Sequence, residues 1–123
     1  MTLELKLIIG FFLHMVGDYL LQNDWIAREK TRSSRVAMLH ANLYATPFLL
    51  VCWSPWIVLI WLSHFFIDRY RIAVVWIRFV NRGTDSNYGF PASKPPHIAF
   101  WLMVIVDNTF HIIINSLSIY LSK

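Results

Sequence analysis

The chain has 123 residues, of which 57% are hydrophobic and only 15% are charged. Soluble domains contain roughly 45–50% apolar and about 25% charged residues, so this composition excludes an ordinary soluble domain and predicts a single membrane domain over residues 1–123. The formal net charge of +4 comes with no nucleic-acid-binding motif, so we expect no nucleic-acid partner.

Four apolar segments approach the roughly 20 residues that a membrane-spanning helix needs. A basic connection over about 23–35 separates the first two segments, and Ser54–Pro55 predicts a tight turn before the third. The connection over about 73–99 begins with an apolar stretch that carries arginines at helical spacing, which predicts an amphipathic helical extension on the membrane surface. The predicted fold is therefore all-α, a polytopic four-transmembrane-helix bundle with helices over about 3–22, 36–53, 56–72 and 100–121.

The placement of basic residues predicts the orientation of this bundle. Four spans put both termini on one side, where only Lys6 and Lys123 carry basic side chains. Because positively charged loops stay in the cytoplasm, we expect an inner-membrane protein of bacterial type with both termini outside. The two long connections, which we expect in the cytoplasm, hold the other nine basic residues: Arg28, Lys30, Arg32, Arg35, Arg69, Arg71, Arg78, Arg82 and Lys94.

Three of the predicted helices each contain a histidine and an aspartate four residues apart, which places the two side chains on one helix face. Ionisable groups inside membrane spans are costly and predict a functional site. The last helix runs opposite to the first and third, and its pair is reversed in order, so all three pairs stack in the same direction across the membrane. These pairs are His14 with Asp18, His64 with Asp68, and Asp107 with His111.

Histidine and aspartate together are typical metal ligands, so we predict that these six residues bind a divalent metal. His40 joins them as a seventh candidate, either a ligand or a general base, and Asp18 is a candidate catalytic residue. Zinc is the favoured metal, with manganese or iron as alternatives. The set exceeds the three or four protein ligands of one zinc, so it suits two ions that share a carboxylate, or one ion with an aspartate left as a base.

Other polar residues lie one helical turn from these candidates. We predict that they support the ligands, or simply pack between helices, and the residues concerned are Gln22, Tyr44, Asn108 and Asn115. Arg69 and Arg71 follow Asp68 most closely and are the best candidates to contact an anionic group.

A metal with an open position activates water and polarises phosphoryl oxygens, so hydrolysis is the chemistry that the pattern favours. The depth of the site and the nearby basic residues point to a lipid or lipid-linked phosphate near the cytoplasmic leaflet. Three alternatives remain: polar side chains that only join helices, a non-enzymatic phage or bacterial membrane factor that binds a partner, and a proton or ion pathway. Oligomerisation remains open.

The same residues resemble a family of small bacterial and phage membrane proteins defined as a domain of unknown function. The family pattern His-x-x-Gly-Asp-x-x-x-Gln is similar to His14–Gln22, and its lone histidine corresponds to His40. His64–Asp68 and Asp107–His111 are similar to its last two elements, except that Asn108 replaces a glutamine. A more distant likeness to inner-membrane metal-dependent hydrolases implies hydrolysis by analogy. Neither resemblance implies a substrate.

Overall fold

The computed structural model describes residues 1–53 and 55–123, so the turn predicted at Ser54 lies outside the described residues. Within the described residues the chain forms six α-helices and no β-strand, which confirms the all-α class. The helices are α1 (Leu3–Met15), α2 (Asp24–Glu29), α3 (Ser34–Ala45), α4 (Trp56–Arg69), α5 (Ile72–Asn81) and α6 (Pro96–Leu121).

Two of these helices change their winding before they end. A π-helical turn over Val16–Leu20 extends α1. A 3₁₀ turn over Thr46–Leu50 extends α3, because Pro47 has no N–H with which to continue the α-helical hydrogen bonds. The α-helical parts of α1 and α3 are therefore shorter than the spans predicted from the sequence.

The connection predicted over residues 23–35 is partly helical. The side chain of Asn23 caps α2 by accepting a hydrogen bond of 2.8 Å from the backbone N–H of Ile26, as expected of an asparagine at this position. Ser33 caps α3, which begins at Ser34, two residues before the predicted start. The cap residues therefore decide where both helices begin.

The third predicted helix ends before residue 72, and the helical extension predicted at the start of the connection over residues 73–99 is present as α5. Arg71 adopts a left-handed conformation with φ of 51°, so the chain turns after α4 and starts α5 as a separate helix. At the far side of the loop, α6 begins at Pro96, four residues before the predicted start, because proline suits the first turn of a helix.

The long helices run antiparallel around a common core. α3 packs on α4, while α6 packs on both α4 and α1. At one end, the apolar core joins the N-terminal parts of α1 and α4 to the C-terminal parts of α3 and α6, which brings both chain termini to that end. This core contains Tyr44, Ala45, Phe48, Val51, Cys52, Ile60 and Ile119, with Leu3 and Leu7 packed against it.

Two glycines allow α1 to lie close to its neighbours. A Cβ atom at Gly10 would meet the side chain of Ile119 on α6, and one at Gly17 would meet the ring of Tyr44 on α3. Close approach of this kind is a common use of small residues between apolar helices. Here it draws the polar residues of α1 into the interior of the bundle.

Of the helices in the described part of the chain, one, α6, is long and apolar enough to cross a membrane, whereas the sequence predicted four spans. α4 has only 14 residues, which corresponds to about 21 Å of helix. A single qualifying helix is weak evidence of membrane association, because the core helix of a soluble protein can have the same length and composition.

Candidate functional site: a buried histidine–aspartate cluster

The polar residues of α1, α3, α4 and α6 point into the bundle and meet beyond the apolar core. Buried ionisable groups need charge partners or hydrogen bonds to be stable, and here they find them in one another. The buried members are His14, Asp18, His40, His64, Asp68 and His111, and Asp107 is about one quarter exposed, at 24%.

Four of these side chains form a central quartet, which we define as Asp18, His40, His64 and Asp68, whose potential ligand atoms all lie within 4.8 Å of one another. His40 Nε2 is 3.1 Å from Asp18 Oδ1 and 3.3 Å from Asp68 Oδ2. His64 Nε2 is 3.5 Å from Asp18 Oδ1 and 3.1 Å from Asp68 Oδ2. Each histidine nitrogen therefore faces both carboxylates.

These separations fit the ligands of a tetrahedral metal ion. Four donors that surround one zinc at about 2.1 Å lie about 3.4 Å from one another, close to the four distances in the central quartet. His64 Nε2 is buried and has no hydrogen-bond partner among the described residues. Buried polar atoms are normally satisfied, so a nitrogen left without a partner between two carboxylates suits a cation. The central quartet can hold a metal.

A second set of ligands, which we call the outer group, consists of Asp18, Asp107 and His111. His111 Nε2 is 3.4 Å from Asp107 Oδ2 and 3.2 Å from Asp68 Oδ1. The other ring nitrogen of His111, Nδ1, lies 3.2 Å from His64 Nδ1. The central quartet and the outer group are thus joined by a hydrogen bond between two histidines, as well as by the shared Asp18.

His14, which the sequence predicted as a ligand, lies outside both groups. Its Nδ1 is 2.8 Å from the hydroxyl of Tyr44, and its Nε2 is 3.0 Å from the side-chain oxygen of Asn108. Asn115 donates a hydrogen bond of 2.6 Å to the same Tyr44 hydroxyl. Two of the predicted supporting residues, Tyr44 and Asn108, therefore contact His14, and a third, Asn115, contacts Tyr44.

The fourth predicted supporting residue, Gln22, has a buried side-chain oxygen with no hydrogen-bond partner among the described residues. It follows the π-helical turn that contains Asp18. Turns of this type are often found at functional sites, because the extra residue changes the direction in which the following side chains point. The turn directs Asp18 into the cluster, and Gln22 lines the cavity beside it.

Lys30 is a site residue that the sequence did not identify. It follows α2 directly, and its ammonium group donates a hydrogen bond of 2.7 Å to Asp68 Oδ2. Burial lowers the pKa of Lys30, but attraction to Asp68 and Asp18 outweighs this effect, so the pKa lies above its ordinary value. In the sequence nothing distinguishes Lys30 from the neighbouring basic residues, and only the fold reveals its contact.

A cavity of about 600 Å³ reaches the cluster. Asp18, Asp68 and Asp107 line it, whereas neither His40 nor His64 does, so the cavity meets the carboxylate side of the cluster. Its other walls are partly basic and partly apolar. The basic residues are Arg28, Lys30, Arg32 and Arg71, and the apolar ones include Ile67, Val74, Phe100, Trp101, Met103 and Val104.

The two arginines predicted to contact an anion differ in their surroundings. Arg71 lines the cavity. Arg69 does not line it, because its guanidinium donates hydrogen bonds to Ser34 Oγ and to the backbone oxygen of Thr31. Arg69 thus fastens the connection between α2 and α3 to α4, whereas Arg71 faces the cavity.

This arrangement combines a buried group of residues that could hold a metal, a cation next to them and a cavity that leads to their carboxylates. No curated protein and no solved structure matches the chain. A family model does match, over residues 6–123, and the chain therefore belongs to the family described as Protein of unknown function (DUF3307).

Proposed function

We propose that the chain is a membrane-embedded, metal-dependent hydrolase that cleaves the phosphate ester of a lipid or of a lipid-linked group. The observation that carries this proposal is the central quartet, whose donor atoms have the separations of a tetrahedral metal site. The cavity that opens onto its carboxylates supports catalysis, because a substrate needs a path to the metal.

The distribution of side chains supports a place in the membrane. Water-soluble proteins bury apolar side chains and expose charged ones, whereas this bundle buries four histidines and two aspartates and exposes large apolar residues on all four long helices. Lipid is the solvent that makes such a surface stable. The exposed residues include Phe11, Phe12 and Leu20 on α1, Leu39 and Leu43 on α3, Leu62 and Phe66 on α4, and Trp101, Ile105, Ile113 and Leu117 on α6.

The orientation proposed for the bundle follows from the two basic connections. They lie at the end of the bundle opposite the chain termini, and basic loops favour the cytoplasmic side. The cavity is lined by residues of these connections, including Arg28 and Arg32, so it would open near the cytoplasmic leaflet of a bacterial inner membrane. Both termini would then lie outside.

The residues around the cavity have separate tasks in this proposal. A divalent ion bound by three of the four quartet residues would keep one position open for water or substrate, polarise a phosphoryl oxygen and lower the pKa of water to about 7. Asp107, which lines the cavity and is partly exposed, would take a proton from the attacking water. Lys30 and Arg71 would hold the phosphate oxygens, because cations bind phosphate strongly through charged hydrogen bonds.

The apolar part of the cavity suits a lipid chain rather than a second polar group. Phe100, Trp101 and Met103 belong to α6, whose outer face is also apolar. A substrate that enters from the bilayer would therefore keep its hydrocarbon part against α6 while its phosphate meets the basic residues. Binding of this kind uses apolar burial for affinity and a few charged contacts for orientation.

The proposal can be tested with protein purified in detergent. The metal is removed with a chelator, and the hydrolysis of phosphatidic acid and of a long-chain isoprenoid diphosphate is measured before and after zinc, manganese or iron(II) is restored. We expect phosphate release that depends on the metal and is faster for phosphatidic acid, a lipid phosphate ester, than for the soluble ester p-nitrophenyl phosphate. Protein that contains no metal after purification and binds none on addition would refute the proposal, and so would hydrolysis that the chelator does not affect.

A further inference from the structure

We propose that the cluster holds one divalent ion at a time, so that the central quartet and the outer group are alternative positions for the same ion. This inference rests on the proposed function, because it concerns the same metal site. It is carried by the hydrogen bond between His64 and His111, whose Nδ1 atoms are 3.2 Å apart.

A hydrogen bond between two imidazole nitrogens needs one N–H donor and one lone pair. If His64 donates from Nδ1, its Nε2 atom has a free lone pair and can bind a metal in the central quartet. His111 then accepts at Nδ1 and carries its proton on Nε2, from which it donates to Asp68 Oδ1 at 3.2 Å. In this arrangement both rings are fully hydrogen-bonded or ligated, and His111 cannot bind a metal.

The reverse arrangement gives the opposite result. If His111 donates from Nδ1, its Nε2 lone pair can bind a metal together with Asp107 and Asp18 in the outer group. His64 must then accept at Nδ1 and carry its proton on Nε2, which faces Asp68 Oδ2 at 3.1 Å. As long as this Nδ1–Nδ1 hydrogen bond holds, the accepting ring carries its proton on Nε2, so the two rings offer at most one free Nε2 lone pair between them. The two groups therefore exclude each other.

Neither ring has room to break this hydrogen bond by turning towards solvent. His64 and His111 are each only 1% exposed, their ring centroids lie 4.3 Å apart, and the ring of Tyr44 stacks on His64 at 3.5 Å. A ring that turned away would leave buried nitrogens without partners, which is costly in a protein interior. The hydrogen bond is therefore a stable part of the site.

The charges of the cluster also favour a single bound ion. Asp18, Asp68 and Asp107 contribute three negative charges, and Lys30, held 2.7 Å from Asp68, contributes one positive charge. One divalent ion brings the sum to zero, whereas a second ion would need a further anion, such as hydroxide or phosphate, to balance its charge. Because buried charge is stable only when it is balanced, a single ion is the favoured occupancy.

Each position offers two carboxylates, Asp18 with Asp68 in the central quartet and Asp18 with Asp107 in the outer group. The two positions differ in their nitrogen ligands. The central quartet offers His40 and His64, while the outer group offers His111 alone. Zinc prefers the site with more nitrogen. We therefore assign the ion to the central quartet, and we assign His111 the task of orienting the ring of His64, as groups around metal ligands commonly do.

The number of ions can be measured directly on the wild-type protein. Metal-free protein in detergent is incubated with one, two and three equivalents of zinc, unbound zinc is removed, and the zinc content per chain is determined by mass spectrometry. X-ray absorption spectroscopy on the same samples reports the ligands and any second metal nearby. We expect one zinc per chain at each of the three ratios and no metal–metal scattering.

Two other outcomes would distinguish a failure of this inference from a failure of the proposed function. Two zinc ions per chain with a metal–metal distance would overturn the single-ion inference and leave the proposed function intact, whereas no bound zinc would overturn both. The variant Asp107→Asn adds a second measurement that does not depend on activity. We expect this variant to keep one zinc with an affinity within about tenfold of wild type, since Asp107 lies outside the assigned position. If the wild type binds two ions and the variant only one, the inference is contradicted.

Discussion

The ring of Tyr44 lies flat against the imidazole of His64, with centroids 3.5 Å apart and ring planes inclined by only 13°. At the edge of the ring, the Tyr44 hydroxyl lies 2.8 Å from His14 Nδ1 and accepts a hydrogen bond of 2.6 Å from Asn115. One buried side chain on α3 therefore touches the other three long helices. It connects the orientation of His64, a proposed metal ligand, to the packing of the whole bundle.

The first prediction concerns the hydroxyl of Tyr44. Tyr44→Phe keeps the ring that covers His64 but leaves His14 and Asn115 without a buried partner, so we expect the free energy of unfolding to fall by about 1–3 kcal/mol. Zinc affinity should change by less than about tenfold, because the hydroxyl does not touch the central quartet. Thermal unfolding in detergent and zinc titration measure the two effects. Full loss of zinc binding in a folded variant would contradict this assignment.

The second prediction tests the metal ligands. Asp68 meets His40, His64 and Lys30, so we expect Asp68→Asn to weaken zinc binding by more than about 100-fold, since even changes around metal ligands cost about 10–100-fold. Asp85→Asn is the matched control, because Asp85 forms an exposed pair with Arg78. Calorimetric zinc titration of both variants provides the comparison. Equal affinities would argue against the central quartet as a metal site.

The third prediction concerns the approach of α1 to α3. A methyl group at Gly17 would collide with the ring of Tyr44, so Gly17→Ala should destabilise the protein by about 1–3 kcal/mol. Leu20, in the same π-helical turn, is 76% exposed, and Leu20→Ala should have little effect on unfolding in detergent. A difference in melting temperature between the variants is the expected result. If both melt like the wild type, the close packing at Gly17 is not needed for stability.

The fourth prediction compares two neighbouring arginines. Arg71 lines the cavity, so Arg71→Gln should weaken the binding of dodecyl phosphate by about tenfold or more, the usual cost of losing a hydrogen bond to a charged group. Arg69 is already bonded to Ser34 and Thr31, so Arg69→Gln should lower stability while changing phosphate binding less than twofold. Calorimetry with dodecyl phosphate and melting curves measure both quantities. The reverse order of effects on binding would place the anion outside the cavity.

The fifth prediction tests the surroundings of α6. Ile113 is 59% exposed, and Ile113→Lys on a helix inside the bilayer should cost about 2.5–3.5 kcal/mol of insertion free energy. In water the same change would have almost no cost. We expect the lysine variant to accumulate poorly in the carbonate-resistant membrane fraction, while Ile113→Leu accumulates normally. A lysine variant that becomes a stable soluble protein would show that the apolar surface does not face lipid.

Sequence patterns were enough to predict the helical class and the residues of the cluster. The spacing of four in pairs such as His64 and Asp68 makes them neighbours on one helix face, and the reversal in Asp107 and His111 matches a helix that runs the other way. These are local properties of a helix, so the sequence alone determines them. The ends of the helices depend on single capping or turning residues, which is why the predicted bounds at residues 72 and 100 were wrong.

Only the tertiary structure decided which members of the cluster touch. The sequence treats His14 and His64 alike, because each precedes an aspartate by four residues. The fold places His14 beside Tyr44 and Asn108, and His64 between two carboxylates, because Gly17 and the π-helical turn determine how α1 meets α3. The position of Lys30 also depends on the path of a connection across the bundle. Distances between helices follow from packing, so the spacing of residues within one helix does not determine them.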